Sequence, residues 1–268
     1  MATPRARLAI ALIVVITWAA ITILVPEWQA QGKTTLQELV TRDLAWGVAG
    51  AAAFLVVAAW LAGWRDLGLK APGPRGWWKL LWLPALYLAV LGGLGITTGK
   101  FTAAVVVMML TNMAMVGFSE ELAFRGVLWG AARRALPFWA GFVLVSAAFG
   151  LVHVLNALLT GELAAAGVQA LNAFMSGSAF LALRIRTRSL LPVMAVHGLW
   201  DFTVFLVGSG AAPDPAAPAA ALQEQLTYGL MLTGPLFLYG LWLVRSEASR
   251  AGWRDDGIMD PAHPAGEP

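Results

Sequence analysis

The sequence contains no cysteine and little charge. Without cysteine, disulfides, thiolate nucleophiles and Cys-ligated metal sites are excluded. Charged residues make up 12% of the 268 residues, about half the fraction that is typical of a soluble domain. Hydrophobic residues make up 59%, and the mean hydropathy is +0.71. This composition indicates a multi-pass membrane protein. It argues against a nucleic-acid partner, because the net charge of +3 comes from basic residues scattered over short connections.

Eight apolar stretches approach the roughly 20 residues that a transmembrane helix needs. They lie near residues 8–25, 44–62, 79–97, 102–119, 137–156, 163–183, 189–208 and 226–244. The first resembles a signal peptide, but its core is long and no small-residue cleavage site follows, so we predict a retained anchor. The expected fold is all-α, a polytopic transmembrane helical bundle of about eight helices. We expect a transmembrane domain at 1–247 and a disordered cytoplasmic tail at 248–268, which contains His263.

The basic residues are distributed unevenly over the connections between these stretches. If the spans alternate and the N-terminus is cytoplasmic, only Lys33, Arg42 and Lys100 of the 18 basic residues fall outside, which leaves 15 in cytoplasmic segments. The positive-inside rule therefore predicts an integral, multi-pass protein of the cell membrane with both termini in the cytoplasm.

Ionisable side chains are expensive at membrane depth, yet three of the apolar regions carry them. In the first region, Glu121 and Arg125 are four residues apart and share a helix face, whereas Glu120 is rotated by about 100° from Glu121. We expect Glu121 to pair with Arg125. Glu120 is then free to act on a water molecule as a general base.

The second and third regions show the same spacing of four residues. Phe149 precedes His153, and Asn156 follows on nearly the same face, so the imidazole could orient a water, share its proton or bind a metal. His197 precedes Asp201. These two side chains could hydrogen-bond to each other, or both could point into a cavity and stabilise an oxyanion. Each motif alone could be structural, but their convergence favours a functional site.

The depths of these residues do not agree in a simple bundle. Counted from the cytoplasmic helix ends at ~1.5 Å per residue, His197 lies roughly 12 Å deep, while Glu120 and His153 lie about 20–25 Å deep. They meet only if helices tilt strongly, extend or break. The candidates for a break are Gly126, Gly130 and Pro137.

In this order the three motifs resemble those of the CPBP family, the CAAX-protease and bacteriocin-processing group of intramembrane proteases, also called the Abi family. Its signatures are Glu-Glu-x-x-x-Arg, Phe-x-x-x-His and His-x-x-x-Asn/Asp, and the resemblance covers about residues 100–205. It implies an all-helical fold with a catalytic cavity in the membrane. It also implies a membrane endopeptidase of the CAAX-processing type, whose peptide or protein substrate could be lipidated or membrane-anchored.

The resemblance also implies roles for single residues. Glu120 and His153 would activate the attacking water, and His197 with Asp201 would stabilise the oxyanion. The supporting residues would be Glu121, Arg125, Phe149 and Asn156. Asp201 stands where the prenyl-protein proteases carry Asn, and an ionised Asp cannot donate a hydrogen bond. Its oxyanion role would need a protonated carboxyl, or else Asp201 only orients His197.

A metal cofactor and two other functions stay open. Zn²⁺ could be held by Glu120, His153 and His197 with a water as fourth ligand, but a metal-free, Glu-activated water fits the prenyl-protease branch better. The chain could instead be a non-proteolytic bacteriocin-immunity or scaffold protein in the membrane. A proton-coupled transporter is the weaker alternative, because the sequence shows no internal repeat.

Overall fold

The computed structural model describes residues 3–29, 32–208 and 218–254, and all regular structure in these ranges is helical. The helices are α1 (Pro4–Gln29), α2 (Leu36–Thr41), α3 (Trp46–Leu61), α4 (Trp82–Thr98), α5 (Ala103–Glu121), α6 (Trp129–Ala135), α7 (Phe138–Val152), α8 (Asn156–Thr160), α9 (Leu163–Thr187), α10 (Leu191–Gly208), α11 (Pro218–Leu243) and α12 (Glu247–Arg250). Two 3₁₀ turns, Trp77–Leu81 and His153–Leu155, precede α4 and α8. A π-helical segment, Leu122–Leu128, joins α5 to α6. The predicted all-α, polytopic bundle is confirmed.

Seven helical stretches of the described chain are long and apolar enough to cross a membrane. They are Pro4–Glu27, Trp77–Thr98, Ala103–Ala135, Phe138–Thr160, Leu163–Thr187, Leu191–Gly208 and Ala220–Leu243. The span predicted at 44–62 corresponds to α3, which has 16 residues and is about 24 Å long. This apolar helix is shorter than the ~30 Å hydrocarbon core, and it packs against α1 and α5.

The fourth predicted span is much longer than expected. α5, the π segment and α6 form one continuous helix of 33 residues from Ala103 to Ala135, which is about 50 Å long. Gly126 and Gly130 lie inside it without a break. The chain turns at Leu136, whose backbone is extended (φ −126°, ψ 156°), because the residue before a proline disfavours the helical conformation. Pro137 then caps α7.

Arginines gather around one buried carboxylate at the end of the bundle where α1 begins. Asp66, in the connection after α3, accepts hydrogen bonds from Arg7 at 2.6 Å and from Arg134 at 3.1 Å, and it pairs with Arg133 at 3.3 Å. Burial alone would raise the pKa of Asp66, but the three guanidinium groups outweigh it and lower the pKa to about 2. This carboxylate therefore ties α1 to α6 and to the connection between α3 and α4.

Replacement of Asp66 with Asn is expected to destabilise the bundle by on the order of 2 kcal/mol at neutral pH, because the folded-state pKa of Asp66 is lowered to about 2. A lowered pKa stabilises the fold above the unfolded value, near pH 4, and this contribution disappears as the pH falls toward 2. Thermal unfolding in detergent, measured from pH 7 to pH 2, should show a lower Tm for the variant that converges with the wild type in acid. Asp43→Asn is the control, since its side chain is 81% exposed. Equal Tm values at pH 7 would contradict the assignment.

The C-terminal residues that the structure describes are packed against the same end. The Trp253 ring lies 5.7 Å from Trp129 and 5.2 Å from Phe138, and Arg188 donates a hydrogen bond to the Ala251 carbonyl at 3.2 Å. Residues 248–254 therefore differ from the predicted disordered tail. The rest of that tail, with His263, lies outside the described residues.

Candidate functional site

The centre of the site is a buried network around Glu121. Its Oε1 lies 3.0 Å from Arg125 Nη1 and 2.8 Å from His197 Nδ1. The side chains of Glu121 and Arg125 are fully buried. Arg125 also donates to the Gly177 carbonyl at 2.8 Å, and its guanidinium lies 4.0 Å from the centroid of the Phe149 ring. The predicted pairing of Glu121 with Arg125 is confirmed, and breaking such a buried pair typically costs about 3–5 kcal/mol.

The second ring nitrogen of His197 also faces carboxylates. Nε2 lies 3.3 Å from Asp201 Oδ2 and 3.7 Å from Glu120 Oε2. His197 is buried, and its ring packs beside the ring of Phe180, 5.1 Å away. Of the two arrangements that the spacing allowed, His197 and Asp201 adopt the one in which they contact each other. One imidazole thus connects three carboxylates on two helices.

His153 stands at the point where α7 ends. Its Nδ1 lies 2.8 Å from the Phe149 carbonyl oxygen. Because a carbonyl can only accept a hydrogen bond, Nδ1 is the nitrogen that carries the proton in the neutral ring. Nε2 then has a free lone pair. The contact with the Phe149 carbonyl therefore sets the tautomer of the neutral imidazole.

A cavity of about 680 Å³ lies beside this network. Its polar lining includes Glu120, His153, Asn156, Gln169 and Asp201, and its apolar lining includes Trp18, Ile23, Val116, Val152, Leu159 and Phe205. The Glu120 side chain is 16% exposed, and its Oε2 has no hydrogen-bond partner among the described residues. The two adjacent acids therefore differ as expected, since Glu121 is held in the network and Glu120 faces the cavity.

His197 was expected to lie at a different depth from Glu120, but the two meet because α10 begins deep inside the bundle. The Leu190 amide donates to the Gly68 carbonyl at 2.8 Å, and a Cβ on Gly126 would lie 3.3 Å from the Leu190 side chain. α10 therefore begins at the level of Gly126, well inside the bundle. Seven residues on, about 10 Å, His197 reaches the level of Glu121, which lies five residues or about 8 Å along its own helix.

Two glycines let α5 and α10 touch next to the site. A Cβ on Gly117 would lie 2.7 Å from the Gly198 backbone nitrogen, and a Cβ on Gly198 would lie 2.8 Å from the Met113 carbonyl oxygen. Small residues permit such close backbone approach between membrane helices. This contact sets the separation of Glu121, which lies four residues after Gly117, and His197, which directly precedes Gly198. We did not predict this crossing from the sequence.

The sequence interpretation also missed Gln169. The Asn156 amide donates to Gln169 Oε1 at 2.9 Å, and both side chains line the cavity. A signal was present, since Gln169 is a polar residue inside the span predicted at 163–183. Trp18 was missed as well. Its indole donates to Ser119 Oγ at 2.8 Å and brings α1 against the site.

Residues 32–45, which we call the strap, fold over the mouth of the cavity. They contain α2, whose N-terminus is fixed by a capping box of Thr35 and Glu38. The buried side chain of Asn112 on α5 anchors the strap. It donates to the carbonyl groups of Val40 and Asp43, both at 2.9 Å, and it accepts a bond from the Ala45 amide at 3.0 Å.

The proposed zinc ligands do not converge in this arrangement. Among the described residues, no group of three or more His, Asp and Glu side chains is placed to hold a metal ion. Both ring nitrogens of His197 face carboxylates, while Nδ1 of His153 faces a carbonyl. Glu120, His153 and His197 therefore do not fit a zinc site as they stand.

Comparison with known proteins identifies the part of the chain that holds the site. Residues 101–203 match the family described as type II CAAX prenyl endopeptidase, Rce1-like. This segment includes all three polar motifs. No curated protein and no solved structure matches the chain. The predicted resemblance to the CPBP, or CAAX-protease, family is confirmed for these residues.

Proposed function

We propose that this chain, whose residues 101–203 match the CAAX-protease family, is an integral membrane endopeptidase that uses Glu120 to activate a water. The observation that carries the proposal is the division of work between adjacent acids. Glu121 is fully buried and bound to Arg125 and His197, whereas the side chain of Glu120 lines the cavity, is 16% exposed, and has its nearest ionic contact, to His197 Nε2, at a long 3.7 Å. A general base must be within reach of the proton that it accepts.

Glu120 and His153 would hold the attacking water between them. One water proton passes to the Glu120 carboxylate, the other forms a hydrogen bond to Nε2 of His153, and the oxygen attacks the carbonyl carbon of the scissile peptide bond. The tetrahedral intermediate collapses when Glu120 returns the proton to the amide nitrogen. The C–N bond then breaks and leaves a carboxyl group and an amine. No step uses a metal ion.

His197 takes a positioning role in this proposal, because it contacts Glu120, Glu121 and Asp201 from behind the cavity wall. An ionised Asp201 cannot donate to an oxyanion, so it would orient His197. The oxyanion donors would come from the amide pair instead. Gln169 accepts from Asn156 through its oxygen, so its own N–H groups can donate to the substrate.

Cleavage by the purified, nanodisc-reconstituted protein tests the proposal. The substrates are a fluorogenic peptide library that includes lipidated C-terminal peptides, and Glu120→Gln is run beside the wild type to detect contaminating proteases. Cleavage that is absent in the variant would support a protease whose base is Glu120. A library that stays uncleaved, together with a wild-type cellular phenotype for Glu120→Gln, would favour the scaffold or immunity function instead.

Chelation is expected to leave this activity unchanged, because the described site does not gather a metal-ligand set. The measurement is the cleavage rate before and after dialysis against 1,10-phenanthroline, with the non-chelating 1,7-isomer as control. A loss of activity that only the chelating isomer causes and that Zn²⁺ reverses would contradict the metal-free mechanism. It would make Glu120, His153 and His197 the ligands to test.

A further inference from the structure

The two ends of the bundle differ strongly in charge. The described residues include all 18 Lys and Arg side chains. Three lie at the end where the cavity opens, namely Lys33, Arg42 and Lys100. Arg125 is buried in the site and belongs to neither end. It was one of the 15 basic residues that the positive-inside pattern placed in cytoplasmic segments, so that placement is wrong for Arg125. The remaining 14 lie at the end marked by Asp66. The cavity end instead carries acids among its described residues: Glu27, Glu38, Asp43, Glu162 and Glu224.

The end with the 14 basic residues is closed below the site. All seven residues of the π segment are buried. The connection after α3 enters the bundle beneath them, where Leu67 and Gly68 are buried and Gly68 adopts a left-handed φ of +87°. A Cβ on Gly68 would collide with the guanidinium of Arg184. This packed layer separates Glu121 from the basic end.

The opposite end is bounded by the strap. Besides its anchor at Asn112, the strap is held where α8 ends, since the Thr34 amide donates to the Leu159 carbonyl at 3.1 Å and Lys33 donates to the Leu158 carbonyl. The cavity extends from the strap down to Glu120. A peptide that reaches Glu120 from an aqueous phase therefore enters on the strap side.

From these observations we infer that the catalytic cavity opens on the extracytoplasmic face of the membrane. Positive charge marks the cytoplasmic side of membrane proteins, and here it lies opposite the cavity mouth. The consequence of this orientation for the substrate rests on the proposed function. The enzyme would cleave a peptide segment that is exposed on the outer surface, such as the outer end of an exported, membrane-anchored peptide. A tail that remains in the cytoplasm would not be cleaved.

Single-cysteine labelling tests the orientation independently of any proteolysis, because the natural chain has no cysteine and gives no background. Asp43→Cys places a thiol on the strap, Val116→Cys places one in the cavity wall, and Ala71→Cys places one at the basic end, where Ala71 is exposed. Intact cells are treated with a membrane-impermeant maleimide. We expect Asp43→Cys and Val116→Cys to be labelled at once and Ala71→Cys only after permeabilisation.

Denatured samples of each variant, labelled in parallel, confirm that the protein is present and its thiol reactive. Labelling of Ala71→Cys in intact cells, alone or with the others, would overturn the orientation. Protection of Val116→Cys beside a labelled Asp43→Cys would overturn the access route. These labelling patterns do not depend on proteolysis, so the orientation of the cavity and the proposed protease function can be refuted separately.

Discussion

Glu120→Gln is expected to lower kcat by about 10²–10⁴-fold, the usual contribution of a general base, with little change in Tm. Glutamine has nearly the same shape, but its amide cannot take a proton from water at neutral pH. Stability should be retained because Glu120 faces the cavity and its nearest ionic contact, to His197 Nε2, is long at 3.7 Å. The measurements are single-turnover cleavage and thermal unfolding of the reconstituted variant.

Two further variants make this result specific to Glu120. Glu162→Gln makes the same chemical change at an exposed position of the cavity end and should keep full activity. Glu121→Gln should instead lose stability, because Arg125 and His197 would be left buried without their shared carboxylate. Wild-type turnover by Glu120→Gln would refute its role as the base. A large fall in the Tm of Glu120→Gln would indicate that Glu120 has a structural role, as in the scaffold alternative.

The different roles of the two acids could be predicted from the sequence because helix geometry is local. Glu121 and Arg125 are four residues apart on one face, and Glu120 is not on that face, whatever the rest of the fold does. The contact between the rings of Phe149 and His153 follows in the same way from their spacing of four residues. Hydropathy likewise gave the helical class and most of the spans.

The arrangement of the site in depth could not be predicted because it depends on non-local packing. The deep start of α10 depends on Gly68 contacting Leu190 across more than a hundred residues of sequence. A membrane span is recognised by composition, which does not reveal where a helix begins relative to its neighbours. The amide anchor of the strap is equally non-local. Asn112 looks unremarkable in an apolar stretch, and only the fold brings it to Val40 and Asp43.

Gly198→Ala is expected to reduce activity by on the order of 100-fold, the effect of about 1 Å of misplacement at a catalytic site. The new methyl group would lie 2.8 Å from the Met113 carbonyl oxygen and 3.3 Å from Ala114 Cα, so α10 has to move away from α5. That movement separates His197 from Glu121 and Glu120. Both cleavage and Tm should fall.

Gly93→Ala on α4 is the matched control for this substitution. Its Cβ would meet no atom within 4 Å, and alanine is favoured over glycine inside a helix by roughly 0.5–1 kcal/mol. The control should therefore be as active as the wild type and at least as stable. If Gly198→Ala behaved like Gly93→Ala, the touching backbones of α5 and α10 would not set the geometry of the site. The positioning role of His197 would then lose its structural basis, since that role depends on the distance between these two helices.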